Sequence, residues 1–567
     1  MDQGFNSVLA ADTLLALTTY AWLKTYDPLP LSTVVFVLTT VPSISAYFLY
    51  ASDPSSLSGL AWVYLTFYLT LIASVTAYRL SPFHPLAQYP GPMILKVTKL
   101  YGAWIAYTGK SHLYFKALHD QYGPTLRVGP NELSTVEKEF IPEILGNQGM
   151  PKGPLWDGRR FAQAGDSKDY DSIVDVRDSV IHTELRKPWN KAFSAEPMKD
   201  YEELLIERVV HLNRRLKEVC AAGENGTGRI DIAKLISCFA YDFMGSFAFG
   251  ADSQLVQSGD PQGRIDTMAN AMYHISITQH VPWISKLIRS LPIVNGYIQK
   301  FITEGIAEAM KRASAEITRK DLFYHMGEAA GTSVSDLPLI ISNVLLAIVA
   351  GSDTTASVLS NVVYLLISHP DDYKKLQVEL DGAFQEHGIE LNETTSKRYG
   401  DVFNGLGYLN AVINEALRLF PAVPTGLQRA PAKGSSFKLL QGSSPTIFLP
   451  EGNAITVAPY ALHRDPRYFS PRPDSFIPER WLPSPTSKTK YVTSRDAFVP
   501  FSIGPQNCAG RSLAMVEMRY VLAMLVRNFD MEFDLPKYDP KRWEKDLRDR
   551  FTLAKGSLGI RITPRKK

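Results

Sequence analysis

Cysteine is scarce in this 567-residue chain: Cys220, Cys238 and Cys508 are the whole complement, with no C-x-x-C pair and no Cys/His partner at zinc spacing. That excludes a disulfide framework and a structural zinc site, and it points to a reducing compartment. An excess of charge of one sign is also lacking. Lysine plus arginine at 60 against aspartate plus glutamate at 57 leaves a formal charge of +3 at pH 7, too balanced to suggest nucleic-acid binding. Internal repeats and long low-complexity segments are absent too. The length therefore suits one large domain of about 480 residues with an additional piece at its N-terminus.

That piece is apolar. Three stretches open the chain: residues 7–23, which include Asp12; residues 29–51, uncharged but containing Pro42; and residues 58–78, also uncharged. The second and third each reach the roughly 20 residues needed to cross a bilayer. The first has no basic leader and is followed by two more apolar runs, which argues against a cleaved signal peptide; whether it spans is left open. Lys24 precedes the second stretch, Arg79, Lys96 and Lys99 follow the third, and the Asp53 loop between them carries no basic residue. By the positive-inside rule both basic sides are cytoplasmic, so the body that follows is expected to face the cytosol from the endoplasmic reticulum membrane. Residues 1–80 are thus read as an anchor of two or three transmembrane helices. Residues 81–92 form a proline-rich hinge that stiffens the join, and 93–567 form the catalytic body.

Within the body, the run Phe501-Ser-Ile-Gly504-Pro-Gln506-Asn-Cys508-Ala-Gly510 sets one cysteine in a glycine-framed loop ahead of a predicted helix beginning at Arg511. Both glycines are read as freeing the backbone and admitting a close ligand. The positive end of the helix and nearby N–H groups favour a thiolate. Such a cysteine can serve as the single axial ligand of a haem, where thiolate donation promotes O–O cleavage. The competing reading is a buried free thiol that packs as a small hydrophobe, the role assigned to Cys220 and Cys238. The loop resembles the haem-binding loop of the cytochrome P450 family, Phe-x-x-Gly-x-Arg/His-x-Cys-x-Gly. It departs at Gln506, which stands where the family usually has Arg or His on a haem propionate. A neutral amide loses the charge-assisted part of that bond.

Other segments resemble the same family in the same order. The apolar run 337–359 contains Ala350-Gly351-Ser-Asp353-Thr354-Thr355, similar to the family's central-helix motif. The resemblance gives Gly351 the role of leaving room for dioxygen, Thr354 that of holding oxygen and a water by its hydroxyl, and Asp353 that of supplying a proton path. Back-bonding of a hydroxyl to the i−4 carbonyl is the alternative for Thr354. Asn414-Glu415-Ala-Leu-Arg418 matches Glu-x-x-Arg, and Phe476-Ile-Pro-Glu-Arg480-Trp481 resembles the segment whose arginine completes a buried Glu415–Arg418–Arg480 network. Ile181-His182-Thr-Glu-Leu-Arg186 places two propionate candidates one helical turn apart, with Arg429 and His463 at two further donor positions. For His463 a purely structural hydrogen-bonded role is equally open.

The resemblance covers roughly residues 85–565 and implies a mainly α fold with a small β lobe, preceded by the transmembrane helices. β-rich stretches are expected near 125–134 and 437–457. It implies haem b on Cys508 and a monooxygenase acting on a hydrophobic small molecule, with terpenoids and other fungal secondary metabolites as the analogy. No flavin or nicotinamide domain follows Cys508, so electrons are expected from NADPH through a separate cytochrome P450 reductase, with cytochrome b5 as a further candidate donor. Arg511, Arg519 and Arg527 are the basic residues that could steer it. Pocket walls are expected in 150–175, 273–298, 347–354 and 422–426. Two other classes stay open: a haem-thiolate isomerase or dehydratase that does not use dioxygen, and a non-catalytic haem- or sterol-binding membrane protein. An altered Asp353–Thr354 pair would favour the first and a damaged cysteine loop the second; both motifs carry their key residues.

Overall fold

Helix propensity and a surface that is apolar on most sides explain the element around which the body is arranged, Leu337–Ser368, 32 residues long with Asp353 as its only charged residue. A helix apolar on nearly all sides has to be buried. In the computed structural model it runs against Ile232–Phe249, almost every residue of which is buried. Arg511–Asn528 and Gly407–Leu419 close the same core from the other sides. The structure describes residues 3–26, 30–52, 57–160, 172–251, 253–289, 291–314, 320–330, 337–392, 397–442, 446–483 and 491–566. Asp53 and residues 161–171 of the expected 150–175 wall lie outside the described residues.

Four described helices are long and apolar enough to cross a membrane, and packing divides them. Ile232–Phe249 and Pro338–Ser368 lie largely within the body, whereas Leu31–Ala51 and Ser58–Leu80 turn most of their apolar side chains outward, Phe36, Phe48, Trp62 and Ile72 among them. The first N-terminal stretch is also helical, Gln3–Tyr26, and packs on both of these, with Asp12 fully buried in the bundle. The Lys24 ammonium lies 3.4 Å from the centroid of the Tyr78 ring, so the C-terminal ends of the first and third helices adjoin.

The β lobe is a four-stranded sheet. Thr125–Gly129 pairs antiparallel with Glu132–Thr135, which runs parallel to Ala454–Val457; Leu427–Arg429 closes the other edge, antiparallel to Ala454–Val457. Strands in 125–135 and 437–457 follow the expectation, while the three-stranded sheet of Phe529–Phe533, Gly559–Pro564 and Gly228–Asp231 and the hairpin Arg548–Arg550/Thr552–Ala554 were not anticipated. The first of these joins segments more than 300 residues apart, a pairing that no local pattern encodes.

Glu415 sits at 0 % exposure with both carboxylate oxygens in use. Oε1 accepts from Arg418 Nη2 at 2.8 Å, Arg480 Nε at 3.0 Å and the Ile477 N–H at 2.9 Å. Oε2 accepts from Arg418 Nε at 2.8 Å and Trp481 Nε1 at 2.9 Å. Arg418 further donates to the carbonyls of His463, Pro473 and Ser475. Replacing Glu415 by Ala leaves two buried guanidinium groups without their counter-charge, with an expected loss of about 3–5 kcal/mol. A lowered midpoint in denaturant unfolding reads it. Lys187→Ala, which breaks the exposed pair with Glu184, is the control and is expected to cost no more than about 1 kcal/mol.

Candidate active site

The cysteine loop is held by its own backbone. The Cys508 N–H donates to the Phe501 carbonyl at 2.9 Å, Asn507 to Gly504 at 3.1 Å and Ser502 to Val499 at 3.0 Å. Gly504 has φ +73°, and a Cβ there would meet the Leu145 carbonyl oxygen at 2.3 Å, so the loop cannot pass its neighbour with any other residue. Gly510 differs from its expectation: its φ of −82° is ordinary, and its missing Cβ leaves open space on the cavity side, with the Phe193 ring the nearest atom at 4.0 Å.

The surface that Cys508 exposes is part of the wall of a partly open cavity of about 320 Å³. Burial pushes its thiol pKa up, while the Gly510 backbone N–H, Arg186 and Arg511 pull it down. Ionisation of such a thiol is coupled to the arrival of a cationic centre. A larger groove of about 770 Å³ lies on the other side of the same loop, lined by polar residues and by Arg398, Arg511 and Arg519. It does not contain Cys508. Arg527 is not part of it and is paired with Asp381 at 3.1 Å.

The cavity gathers most of the expected residues. Phe501, Gln506, Cys508, His182, Arg186, Arg429, Gly351 and Thr354 all line it. Arg186 donates to the Asn507 carbonyl at 2.7 Å and to its side-chain oxygen at 2.8 Å, gripping the cysteine loop directly. His182 is buried, and desolvation together with Lys152, Arg186 and Arg429 pushes its pKa down to about 3. Burial lowers Arg429 to about 10. The Gln506 Oε1 is buried without a hydrogen-bond partner. Turning the amide by half a rotation exchanges that oxygen for an N–H₂ donor.

On the opposite wall, Thr354 Oγ1 donates to the Ala350 carbonyl at 2.5 Å. That back-bond leaves the hydroxyl oxygen as an acceptor toward the cavity, so the alternative weighed from sequence is compatible with a role in the site. Asp353 accepts from Thr552 Oγ1. Gly351 lines the cavity, and a Cβ there would also press on the end of the Met244 side chain, with Sδ and Cε at 2.5 Å, so its bareness serves helix packing as well.

His463 is not brought to the cavity. It is wholly buried among Phe469 and Phe498, and its Nε2 accepts from the Val499 N–H at 3.0 Å. A donor role to a propionate is corrected to a structural one, because the ring lies away from the cavity lining and its Nε2 is bonded to the backbone that leads into the cysteine loop. Of residues 273–298, only Ile275 reaches the cavity among the described residues.

Sequence reasoning missed Phe551 and Glu517, and it covered Lys152, Trp156 and Arg159 only through the expected 150–175 wall without singling them out; all five line the cavity. Lys152 donates to the carbonyls of Ile173, Val174 and Val176 and has its pKa pushed down to about 7, chiefly by burial. Glu517, one helical face away from the cysteine, has its carboxyl pushed well up by burial and lies beside Thr355. A cation inside a Pro-Lys-Gly-Pro turn and an acid within an apolar helix are the faint signals that sequence offered.

These residues fit a haem. A thiol on the cavity wall, an apolar chamber formed by Val349, Val358, Leu513 and others, and a rim of Lys152, Arg186 and Arg429 with no salt bridge to a carboxylate among the described residues suit an apolar macrocycle bearing acidic substituents.

Acid should weaken the fold through His463. Burial, with Arg418 and Arg464 adding to it, lowers its pKa from 6.5 to about 3. The unfolded chain binds this proton below pH 6.5 and the folded chain only near 3, so the contribution is complete above pH 6.5 and is lost as pH falls across that window. His463→Gln, which keeps an acceptor for Val499, is expected to flatten the decline; denaturant unfolding across a pH series measures it.

The cytochrome P450 family model matches residues 90–556. The trichothecene C-15 hydroxylase of Fusarium sporotrichioides is 30 % identical over 88 % of this chain and 96 % of its own length. The cytochrome P450 monooxygenase FCK2 of Fusarium pseudograminearum is 31 % identical over 87 % and 85 %, and the tryprostatin B 6-hydroxylase of Aspergillus fumigatus 28 % over 88 % and 84 %. With its cysteine loop, its polar-notched central helix and this match across the whole body, the chain belongs to the cytochrome P450 family and is a monooxygenase of that family.

Proposed function

We propose that this protein is a membrane-anchored monooxygenase that hydroxylates or otherwise oxidises a hydrophobic secondary metabolite. The observation that carries the reading is Cys508 facing a partly open, mostly apolar cavity that is also lined by Gly351, Thr354 and Thr355 of the central helix. Haem bound there supplies dioxygen activation, with one oxygen atom inserted into the substrate and the other leaving as water, at the expense of two electrons and two protons. Cys508 would provide the thiolate ligand. Arg186, Arg429 and His182, with Gln506 as a neutral donor, would hold the propionate edge, and Lys152, its N–H bonds spent on carbonyls, would add only its charge. Thr354 orients a proton donor from its hydroxyl oxygen, and Asp353, tied to Thr552, sets the direction from which protons enter. Val349, Val358, Phe247 and Leu427 exclude water and choose which C–H bond is presented.

The intact Thr354 and Asp353 pair favours dioxygen chemistry over isomerisation, and the substrates named for the trichothecene and tryprostatin hydroxylases favour fungal secondary metabolites. Electrons from NADPH through a separate reductase, with cytochrome b5 as a further donor, are supported by the groove beside Arg511 and Arg519. Placement in the endoplasmic reticulum membrane with the body in the cytosol is supported by Lys24 and Arg79 at the adjoining helix ends.

Reduced membranes treated with carbon monoxide are expected to give a Soret band near 450 nm that disappears in Cys508→Ala. A band near 420 nm in folded protein would redirect attention to a non-catalytic role. For Thr354→Ala, NADPH oxidation should continue while product per NADPH falls by about tenfold or more, within the usual contribution of a positioned proton-transfer group; unchanged coupling would remove Thr354 from proton delivery.

A further inference from the structure

The cavity contains one cation that the proposed reading does not use. Arg159 is 5 % exposed, lines the cavity, and its Nη1 is buried with no hydrogen-bond partner. No described carboxylate forms an ion pair with it. The two acids close enough to affect its charge are committed elsewhere: Asp549 accepts from Thr425 Oγ1 at 2.5 Å and the Phe551 N–H at 3.0 Å, and Asp175 accepts from the Ser172 hydroxyl at 2.6 Å. Burial pushes the Arg159 pKa down, yet a guanidinium stays protonated at neutral pH. A buried charge without a counter-charge costs several kcal/mol in any folded protein.

The side chain is also held in place. Its guanidinium lies over the Phe551 ring and 4.8 Å from the centroid of Trp156. Trp156 is fixed by its indole N–H to the Gln428 carbonyl at 3.2 Å, and the Gly158 carbonyl accepts from Thr278 Oγ1 at 2.9 Å. A Cβ on Gly158 would meet Gln279 Cα at 2.6 Å, so the turn carrying Arg159 is seated against its neighbour. Phe551 occupies the hairpin tip at φ +78°, a conformation that a bulky residue adopts only when held, here by the bond from its N–H to Asp549. The next residue, Thr552, is bonded to Asp353 of the central helix. Arg159 therefore belongs to the wall continuous with the oxygen-side notch. The nearest rim cation is Lys152, which feels the charges of Arg159 and Asp175 and stands 5.3 Å from the centroid of the same Trp156 ring, but its ammonium is spent on the carbonyls of Ile173, Val174 and Val176, whereas Arg159 keeps an unpartnered N–H.

We propose that Arg159 is a specificity-determining residue and that the substrate is an apolar molecule bearing a carboxylate, which the guanidinium binds while the hydrocarbon part fills the chamber. This rests on the monooxygenase reading of the same cavity. Binding supplies the missing counter-charge, and a planar fork stacked on an aromatic ring suits a carboxylate in two-point contact. With the acid fixed at one end, the carbon presented for oxidation is set by its distance from that group.

Full-length protein with haem, in lipid nanodiscs at pH 7.4, would be dialysed to equilibrium against radiolabelled dodecanoic acid or 1-dodecanol, and against abietic acid or its primary alcohol as a rigid pair. Partition into protein-free nanodiscs is subtracted. In at least one pair the acid is expected to bind ~10-fold or more tightly than the alcohol, equivalent to about 1.4 kcal/mol. That preference should vanish in Arg159→Gln and Arg159→Leu and be partly kept in Arg159→Lys. Equal affinities in both pairs of the wild-type protein overturn the inference, as does a preference that survives in either neutral variant. The 450 nm band recorded on the same samples reports separately on the haem-thiolate reading, so failure of one is distinguishable from failure of the other.

Discussion

The carboxylate of Glu415 is the point from which the geometry of the site is set. Five donors converge on it, and a continuous series of bonds leads from there to the cysteine. Arg418 holds the His463 carbonyl; the His463 ring accepts from the Val499 N–H; the Val499 carbonyl accepts from Ser502; and the Phe501 carbonyl accepts from Cys508. The first two links are buried, where a hydrogen bond is strong and an unpaired group costly. The loop is thereby positioned by side chains from three distant segments. This also explains why His463 is structural although it stands at a position the family uses for haem contacts.

Two kinds of wall meet in the cavity. The apolar side chains of the central helix, Ile275, Leu417 and Leu427 give it an interior that water gains little by entering. The cations of the rim lack ion-pair partners among the described residues, in contrast with paired charges elsewhere, such as Arg312 with Asp321 and Arg565 with Asp381. A fold that pairs its buried charges in most places and leaves a group of them unpaired in one chamber carries a site for an acidic ligand there. Cys508 extends the same logic: its thiol is disfavoured as an anion by burial and is pulled the other way by Arg186 and Arg511.

Much of this was legible in the residues. Motif spacing brought Cys508, Gln506, Thr354, His182, Arg186 and Arg429 to one chamber, because a short glycine-framed loop and an i, i+4 pair on a helix are local geometries. The Glu415–Arg418–Arg480 set was legible for the same reason, since i, i+3 spacing fixes two of its members. Gly351 and Gly510 show where local reasoning stops. A missing Cβ can serve a ligand, a turn or a neighbouring helix, and only the position of Met244 and an ordinary φ decide which.

By itself the sequence determined the apolar N-terminal helices, the mainly helical body, the thiol loop and the polar notch, all of which depend on periodicity or on residues close along the chain. Only the tertiary structure decided that Arg159 and Phe551 meet although 392 positions separate them (551 − 159), that His463 turns away, and that Lys152 joins the rim. Those outcomes depend on which distant segments pack together and on whether a charge finds its partner once buried. Burial and pairing are properties of the packed whole, with no signature at any single position.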